Sequence, residues 1–287
     1  MKIAVLTAVA MLAFAANSVL ARLAFATANA EPLSYTGIRL AAGAIVLAAL
    51  LALRRTPGAP FTVGGSWAGA AALFGYAFAF SIAYILLGAG TGALILFASV
   101  QIGILGWAVY RGDRPGTLEW LGLAVALAAF AYLVSPGLVA PHPLGTLLMI
   151  GSGLCWAAYT LLGRGSKAPL VDTAGNFIRC LPVAVAIIIA GLVLHPVDPA
   201  AAAYAAASGA VASGLGYAIW YAVLPSLART QAAIVQLTVP AIAAAGGVLL
   251  ITEPLTVRLV VASIGILGGV ALALVAADRR RRAKPAT

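Results

Sequence analysis

Three uncharged amide side chains lie deep inside long apolar runs of this sequence, at Asn17, Gln101 and Gln236. An amide buried in hydrocarbon without a partner is costly, so each must face another helix or a polar cavity. Two interpretations follow: the amides bind a substrate, or they make hydrogen bonds between helices. Pro240 stands four residues after Gln236 and denies that carbonyl its helical donor, which predicts a kink that could act as a hinge.

Aromatic residues recur at helical spacing in the same kind of run. Tyr76, Phe80 and Tyr84 stand at four-residue steps, which places them on one face of a helix. Four further aromatic residues are candidates for the same pocket: Trp156, Tyr159, Tyr217 and Tyr221. Such rings can also pack between helices or form the aromatic belt at a membrane surface. The belt lies at helix ends, so rings near mid-span favour a pocket, and aromatic faces with amides suit a neutral or zwitterionic substrate.

Two arginines, Arg22 and Arg39, lie within apolar runs, toward the same side of the first two predicted helices. Charged groups are costly at this depth, so we expect them to line the outer mouth of a cavity, where they could gate it and meet a carboxylate. Pairing with Glu31, or snorkelling to the membrane surface, is the alternative. Every Asp and Glu lies near a predicted helix end or in a loop, so no buried carboxylate for proton or sodium coupling is visible.

Patterns for catalysis or cofactor binding are missing from the sequence. It has no phosphate-binding G-x-x-x-x-G-K-[ST] loop and no Cys/His spacing for a metal, so we expect no enzyme activity, no cofactor and no metal. An intramembrane enzyme would need a cluster of His, Ser or carboxylate groups at depth, whereas His142 and His195 lie in loops beside prolines. A receptor that binds a ligand without moving it is a further alternative.

The elements that carry the candidate residues are membrane-spanning helices. The chain has 287 residues, 63% hydrophobic and 8% charged, with a mean hydropathy of +1.08, which is too apolar for a soluble domain. A span needs about 20 apolar residues. The sequence predicts ten spans, at roughly 3–26, 32–53, 66–88, 90–110, 117–134, 144–163, 174–194, 202–224, 230–250 and 257–277. The break at Gly88 is so short that spans three and four could form one helix. The start imitates a secretory signal, but its apolar run is too long for one.

Basic residues are unevenly distributed between the two sides of this arrangement. Nearly all Lys and Arg residues in loops fall on one side, which predicts that both termini are cytoplasmic. The tail at 278–287 contains four consecutive arginines from Arg279 and is expected to anchor the chain at an anionic bilayer surface. The lipid bilayer is therefore the expected partner, and nucleic acid is not.

The sequence also contains a long-range repeat. Phe14-Ala-Ala-Asn-Ser-Val-Leu-Ala-Arg22 is matched by Trp156-Ala-Ala-Tyr-Thr-Leu-Leu-Gly-Arg164, and Ile38-Arg39 by Ile178-Arg179. Five predicted spans separate the copies, and an odd number reverses their direction, so the two halves should be antiparallel. We predict an all-α integral membrane protein of ten transmembrane helices, arranged as two inverted five-helix repeats, 1–135 and 144–277, around a central cavity that binds a small molecule.

These features resemble the drug/metabolite transporter superfamily, EamA type. The resemblance rests on the aromatic-Ala-Ala opening of each half, the arginine early in the second helix of each half, and Thr252-Glu253-Pro254-Leu255-Thr256 before the last helix. It implies peripheral fifth and tenth helices, with the other eight around the cavity. Within the superfamily, Trp156-Ala-Ala-Tyr159 is most similar to YddG-type exporters of aromatic and other neutral amino acids. Those exporters carry aromatic residues in mid-span four, where this chain has Ser99-Val100-Gln101-Ile102.

The sequence therefore predicts a secondary transporter in the bacterial inner membrane that exports small neutral metabolites, above all aromatic or branched amino acids, by alternating access. A drug or cationic-metabolite exporter and a nucleotide-sugar carrier of the same superfamily are the alternatives. A cationic substrate would favour a buried carboxylate, which is missing. Gly265-x-x-x-Gly269 in the last span predicts close helix packing, either within the chain or at a homodimer seam.

Overall fold

The computed structural model describes residues 2–54, 63–112, 114–135, 140–227 and 229–283. Over these ranges the chain is helical and forms no strand. The predicted breaks at 55–58, Asp113 and 136–137 lie outside the described residues, as does the end of the basic tail, 284–287.

Ten helical segments of the described chain are long and apolar enough to cross a membrane. They are α1 (Lys2–Thr27), α2 (Pro32–Arg54), α3 (Trp67–Leu86), α4 (Ala89–Tyr110), α5 (Thr117–Val134), α6 (Pro143–Leu162), α7 (Pro169–Leu194), α8 (Pro199–Ser226), α9 (Arg229–Gln236 and Thr238–Ile251) and α10 (Val257–Ala283). The prediction of an all-α protein with ten spans is confirmed, and α3 and α4 are separate helices on either side of Gly88.

Local sequence explains where several helices begin. Proline occupies the first position of α6, α7 and α8, where its missing N–H has no helical partner to lose. The Asp198 carboxylate caps α8 by accepting a hydrogen bond from the Ala200 N–H at 2.7 Å. Ser66 caps α3 in the same way, with its hydroxyl 2.9 Å from the Gly69 nitrogen. Such caps satisfy backbone donors that a helix end would otherwise leave unpaired.

Two spans depart from regular α-helix. Helix α8 contains a π-helical stretch at Ser208–Leu215, a form that is rare and found mostly as short insertions in α-helices. Helix α9 is interrupted at Leu237, one residue after Gln236, as expected where the ring of Pro240 removes a hydrogen bond to the Gln236 carbonyl. The interruption is observed; its role as a hinge stays a prediction.

Helices related by five positions along the chain pack in equivalent ways. Helix α3 packs on α6, and its counterpart α8 packs on α1. Helix α4 also packs on α6, and its counterpart α9 packs on α1. Helix α2 packs on its own counterpart, α7. The exchange of each helix with the one five positions later leaves this pattern unchanged. An inverted repeat requires such a pattern, although the duplication itself stays a prediction.

Helices α5 and α10 form a closely packed pair beside the other eight. A Cβ added at Gly269 would lie 2.5 Å from the Gly122 carbonyl oxygen, and one at Gly122 would lie 2.5 Å from the Gly269 oxygen. Gly265 faces Ala129 in the same interface. The glycine face of α10 is thus covered within the chain, so a homodimer through this helix would need another of its surfaces. The homodimer stays a prediction.

The two ends of the bundle are distinguished by their acidic residues. We call the end formed by the last turns of α1 and α3 and the first turns of α2 and α4 the Glu253 face, because Glu253 lies there. The opposite end, where α3 and α7 begin, is the Asp172 face. The largest buried core cluster lies between these ends and includes Tyr35, Phe80, Tyr84, Leu94 and Met149.

Candidate functional site

Six aromatic side chains form a continuous series through the interior of the bundle. From the Glu253 face inward, this aromatic column consists of Tyr84, Phe80, Tyr76, Trp156, Tyr217 and Tyr221. Successive ring centroids are 4.6, 5.4, 4.7, 5.5 and 6.3 Å apart, distances typical of favourable aromatic pairs. Helix α3 supplies the first three rings, α6 the fourth and α8 the last two. The structure therefore brings together these six of the aromatic residues singled out from the sequence.

Tyr159 joins the column at its Asp172 end. Its ring lies 5.4 Å from that of Trp156, and its hydroxyl donates a hydrogen bond to the Thr173 hydroxyl at 3.2 Å. Thr173 in turn donates to the Tyr221 hydroxyl, also at 3.2 Å. One threonine of α7 thereby connects a ring of α6 to a ring of α8.

At the Glu253 face, one carboxylate joins several helices. Glu253, between α9 and α10, accepts hydrogen bonds from Arg22 Nε at 2.8 Å and from the Ala89 N–H at 2.7 Å. Arg22 Nη1 also donates to the Tyr84 carbonyl at 2.8 Å. We call these four residues the Glu253 clamp. The negative charge at the start of α4 is further favoured by the helix dipole.

Two glycines leave the space that the Glu253 carboxylate occupies. A Cβ at Gly88 would lie 2.9 Å from Glu253 Oε2, and a Cβ at Gly247 would lie 2.6 Å from it. The backbone N–H of Glu253 donates to the Gly247 carbonyl at 3.0 Å. Close approach of α4, α9 and the connection before α10 therefore depends on residues without side chains at these positions.

A second polar set lies at the Asp172 face, and we call it the Asp172 clamp. It consists of Asp172, Asn176 and Arg179 of α7 and the segment Gly64–Ser66 that leads into α3. Asp172 accepts from the Gly65 N–H at 2.8 Å and Asn176 from the Ser66 N–H at 2.9 Å, while Arg179 donates to the Gly64 carbonyl. Ser166 donates to the other oxygen of Asp172. This clamp also joins residues from the two predicted halves.

The two arginines predicted for a cavity mouth occupy different environments. Arg22 lies at the Glu253 face, where it pairs with Glu253 and not with Glu31. Glu31 instead accepts hydrogen bonds from the Leu33 and Ser34 N–H groups at the start of α2. Arg39 differs from the sequence expectation because it does not line an open mouth. It is only 2% exposed, and its Nη2 donates to the Tyr76 hydroxyl at 2.8 Å. The helix turns it into the protein interior, beside the aromatic column.

The three predicted amides are not gathered into one place. Asn17 is buried and accepts hydrogen bonds from Ser208 at 2.8 Å and Ser213 at 3.4 Å, both in the π-helical stretch of α8. The Gln236 side chain donates to the Ala232 carbonyl of its own helix at 3.2 Å. Gln101 is half-buried on α4, and its side chain makes no hydrogen bond among the described residues. Asn17 thus fits the interhelical interpretation, while a substrate role for each amide stays a prediction.

A cavity of about 270 Å³ adjoins the Glu253 clamp. Its lining includes Arg22, Thr91, Glu253, Thr256 and Arg258. It lies between the clamp and the α5–α10 pair and not at the aromatic column, whose rings contact one another. Arg258 donates to the Tyr132 and Ser135 carbonyls, so its charge is already hydrogen-bonded by the end of α5.

Sequence reasoning did not predict a site role for four polar residues of the two clamps and their surroundings: Glu253, which it noted only as part of a family motif, and Asp172, Asn176 and Thr173. A signal existed for Asn176, which is an amide within an apolar run and is 7% exposed. For Glu253, its place before a proline near a helix start gave no indication of a partner 231 residues away.

Comparisons with known proteins agree with this architecture. Residues 143–275 match the family model described as the EamA-like transporter family. The uncharacterized protein PA1977 of Pseudomonas aeruginosa is 51% identical over 269 residues, covering 94% of this chain and 93% of that protein. This chain belongs to the EamA-like transporter family. It is thus a multi-pass membrane protein, and the predicted EamA-type resemblance is confirmed.

More distant relatives of this EamA-like transporter include the uncharacterized inner membrane transporter YedA of Escherichia coli K12. YedA is 28% identical over 176 residues, which cover 56% of this chain and 53% of YedA. A crystal structure of another protein superimposes with a TM-score of 0.61 at 21% identity, over 93% of this chain and 98% of that one. At this identity the superposition supports the ten-helix fold alone. The YddG-type subgroup stays a prediction.

Proposed function

We propose that this EamA-like transporter is a secondary transporter of the bacterial inner membrane that exports small neutral metabolites, with aromatic and branched neutral amino acids as the leading substrates. The inner-membrane location is supported by the relative YedA, which is named an inner membrane transporter. The proposal rests on one observation: the aromatic column runs between the two clamps, and each clamp joins elements of both predicted halves.

The arrangement suits alternating access around a site between two halves. Both clamps are formed and most of the column is buried, so a substrate can enter only after one clamp opens and the rings beside it separate. Opening at the Asp172 face would admit a substrate to Tyr221, Tyr159 and Trp156. Closing that face and opening the Glu253 clamp would release it past Tyr84. Stacked rings supply apolar surface for an amino-acid side chain.

Transport by purified protein in liposomes tests this function. We expect labelled phenylalanine and leucine to move faster than in empty vesicles. Trp156→Ala should slow this flux at least tenfold, because Trp156 contacts both Tyr76 and Tyr217 at the centre of the column. Trp107→Ala is the matched control, since Trp107 is 47% exposed on α4 and should leave the flux unchanged. Amino-acid flux no faster than in empty vesicles would refute the proposal.

Export of a drug or another metabolite by the same protein is the second candidate. Ethidium, a cationic drug, serves as the probe in the same vesicles. The aromatic column contains no carboxylate, and the described carboxylates near it, Glu253 and Asp172, are engaged in the clamps. We therefore expect amino-acid flux without ethidium flux, and the reverse result would favour the drug exporter.

A further inference from the structure

Arg39 is the most deeply buried charged residue of the described chain. It lies seven residues after the first residue of α2, at Pro32, and is 2% exposed. Transfer of a guanidinium from water into a protein interior within a membrane is expensive unless hydrogen bonds and an opposite charge compensate. The compensation that Arg39 receives therefore indicates what the site is built to hold.

Arg39 has few partners within the chain. Its guanidinium carbon lies 5.1 Å from the Tyr76 ring centroid and 4.6 Å from that of Phe80, in cation–π contact. Nη2 donates to the Tyr76 hydroxyl, whereas Nη1 is buried and makes no hydrogen bond. Among the described residues, no carboxylate forms an ion pair with Arg39.

The other described arginines that are buried wholly or partly in the bundle are satisfied by the chain itself. Arg280 pairs with Glu119. Arg22 pairs with Glu253, and Arg258 donates to the carbonyls at the end of α5. Arg179 matches Arg39 in the repeat, and it donates to the Gly64 and Gly175 carbonyls. Arg39 alone of these five combines deep burial with a free donor and no anionic or carbonyl partner. The difference is not a property of the repeat, since the matched position is satisfied.

We propose that Arg39 binds the carboxylate of the transported substrate, which supplies the missing negative charge while its apolar side chain lies against the aromatic column. This assignment rests on the proposed function. Two donors of a guanidinium can hold the two oxygens of one carboxylate. The ligand class is an α-amino acid or related monocarboxylate with an aromatic or branched side chain.

The position of Arg39 in the column fits this role. The rings that flank it, Tyr76 and Phe80, belong to α3. The Tyr76 ring centroid also lies 4.7 Å from that of Trp156, which belongs to the other predicted half. A ligand that separates Tyr76 from Trp156 would enter between the halves directly beside the guanidinium. On its other side, α8 packs against the Arg39 backbone through Gly209, where an added Cβ would overlap the Arg39 carbonyl oxygen. The arginine is thereby held in place from two helices.

A ligand series on wild-type protein tests the assignment without any substitution. Uptake of labelled L-phenylalanine into liposomes is measured in competition with L-phenylalaninamide and phenethylamine, which keep the ring and amine but lack the carboxylate. Loss of hydrogen bonds to a charged group should weaken competition about tenfold to a hundredfold relative to unlabelled L-phenylalanine. Equal competition by all three would overturn the role of Arg39 while leaving amino-acid transport intact. Absence of any L-phenylalanine uptake would instead refute the proposed function.

Substitutions at Arg39 provide the second test. Arg39→Gln should raise the KM for L-phenylalanine at least tenfold and make phenethylamine compete as well as unlabelled L-phenylalanine. Arg39→Lys should show a smaller rise in KM and keep part of the preference for L-phenylalanine. Arg258→Gln is the control, because it also removes a buried arginine but lies at the α5–α10 pair; its competition ratios should equal those of wild type. Size-exclusion elution identifies variants that fail to fold, in which case the wild-type series decides.

A change of buffer distinguishes an inorganic anion bound at Arg39 from a substrate carboxylate bound there. The wild-type series is repeated with chloride replaced by sulfate. If the carboxylate occupies Arg39, the preference for L-phenylalanine is the same in both buffers. A preference that disappears without chloride would assign Arg39 to the inorganic ion and overturn the proposal.

Discussion

At the scale of single residues, the Glu253 carboxylate is the contact on which the clamp at its face depends. It accepts one hydrogen bond from Arg22 and one from the first backbone N–H of α4. Glu253→Gln keeps the size of the side chain but removes the charge and presents an NH2 group to donors. We expect hydrogen exchange of the Ala89 amide to accelerate about tenfold or more, since a hydrogen bond to a charged group contributes about 1.5–3 kcal/mol. Hydrogen exchange followed by mass spectrometry measures this in overlapping peptides that begin several residues before Ala89, because the first residues of a peptide lose their label.

Glu31→Gln is the matched control for this experiment. Glu31 lies at the same face and also accepts from backbone N–H groups, but only from Leu33 and Ser34 at the start of its own helix. Its substitution should accelerate exchange in α2 and leave α4 unchanged. If Glu253→Gln left exchange at Ala89 as slow as in wild type, the Glu253 clamp would not stabilise this face.

The sequence predicted which side chains share a face of one helix, because helical spacing decides this. Tyr76, Phe80 and Tyr84 share a face because four-residue steps do so in any α-helix. The partner of Arg22 was not predictable in this way: Glu31 is near in sequence, but Glu253 lies 231 residues away and is brought close only when the halves pack. Arg39 was expected nearer the surface, because its position along α2 does not tell which other helices cover its side chain.

At the scale of helices, the α5–α10 pair depends on close backbone approach at Gly269. A Cβ at this position would lie 2.5 Å from the Gly122 oxygen and 2.7 Å from the Ala126 nitrogen, both backbone atoms that cannot rotate away. We expect Gly269→Ala to destabilise the protein by about 1–3 kcal/mol, as overpacking does in other interiors. Thermal unfolding of the purified protein in detergent measures the change.

The neighbouring glycine provides a control on the same helix. A Cβ at Gly268 would meet no atom within 4 Å, so Gly268→Ala should be neutral or slightly stabilising through its higher helix propensity. Equal destabilisation by both substitutions would show that alanine harms α10 in general and that close packing at Gly269 is not the cause.

The helices themselves were largely predictable, and their irregularities only in part. Length and apolar composition predicted ten spans, and Pro240 predicted the interruption of α9, because the missing N–H acts locally. The π-helical stretch of α8 had no comparable local signal. Its Ser208 and Ser213 both reach Asn17 of α1, and Gly209 packs on the Arg39 backbone, so contacts with other helices accompany this change of register.

At the scale of the whole molecule, the two faces carry basic residues in different ways. On the Asp172 face, the exposed basic residues of the described chain include Arg54, Arg111, Arg164 and Lys167. On the Glu253 face, Arg22 and Arg258 are instead engaged with Glu253 and with carbonyls. Exposed positive charge is retained on the cytoplasmic side of a membrane protein. The Asp172 face is therefore expected to be cytoplasmic, which would make it the entry side for export.

Cysteine labelling in intact cells tests this orientation. In a background with Cys155→Ala and Cys180→Ala, one cysteine is placed at Leu255, which is 59% exposed on the Glu253 face, or at Lys167, which is exposed on the Asp172 face. A membrane-impermeant maleimide should label Leu255→Cys in cells whose outer membrane is permeabilised, and Lys167→Cys only after the inner membrane is opened. The opposite pattern would place the Glu253 clamp on the cytoplasmic side. Release past Tyr84 would then deliver substrate into the cell, and the protein would act as an importer with the same two clamps.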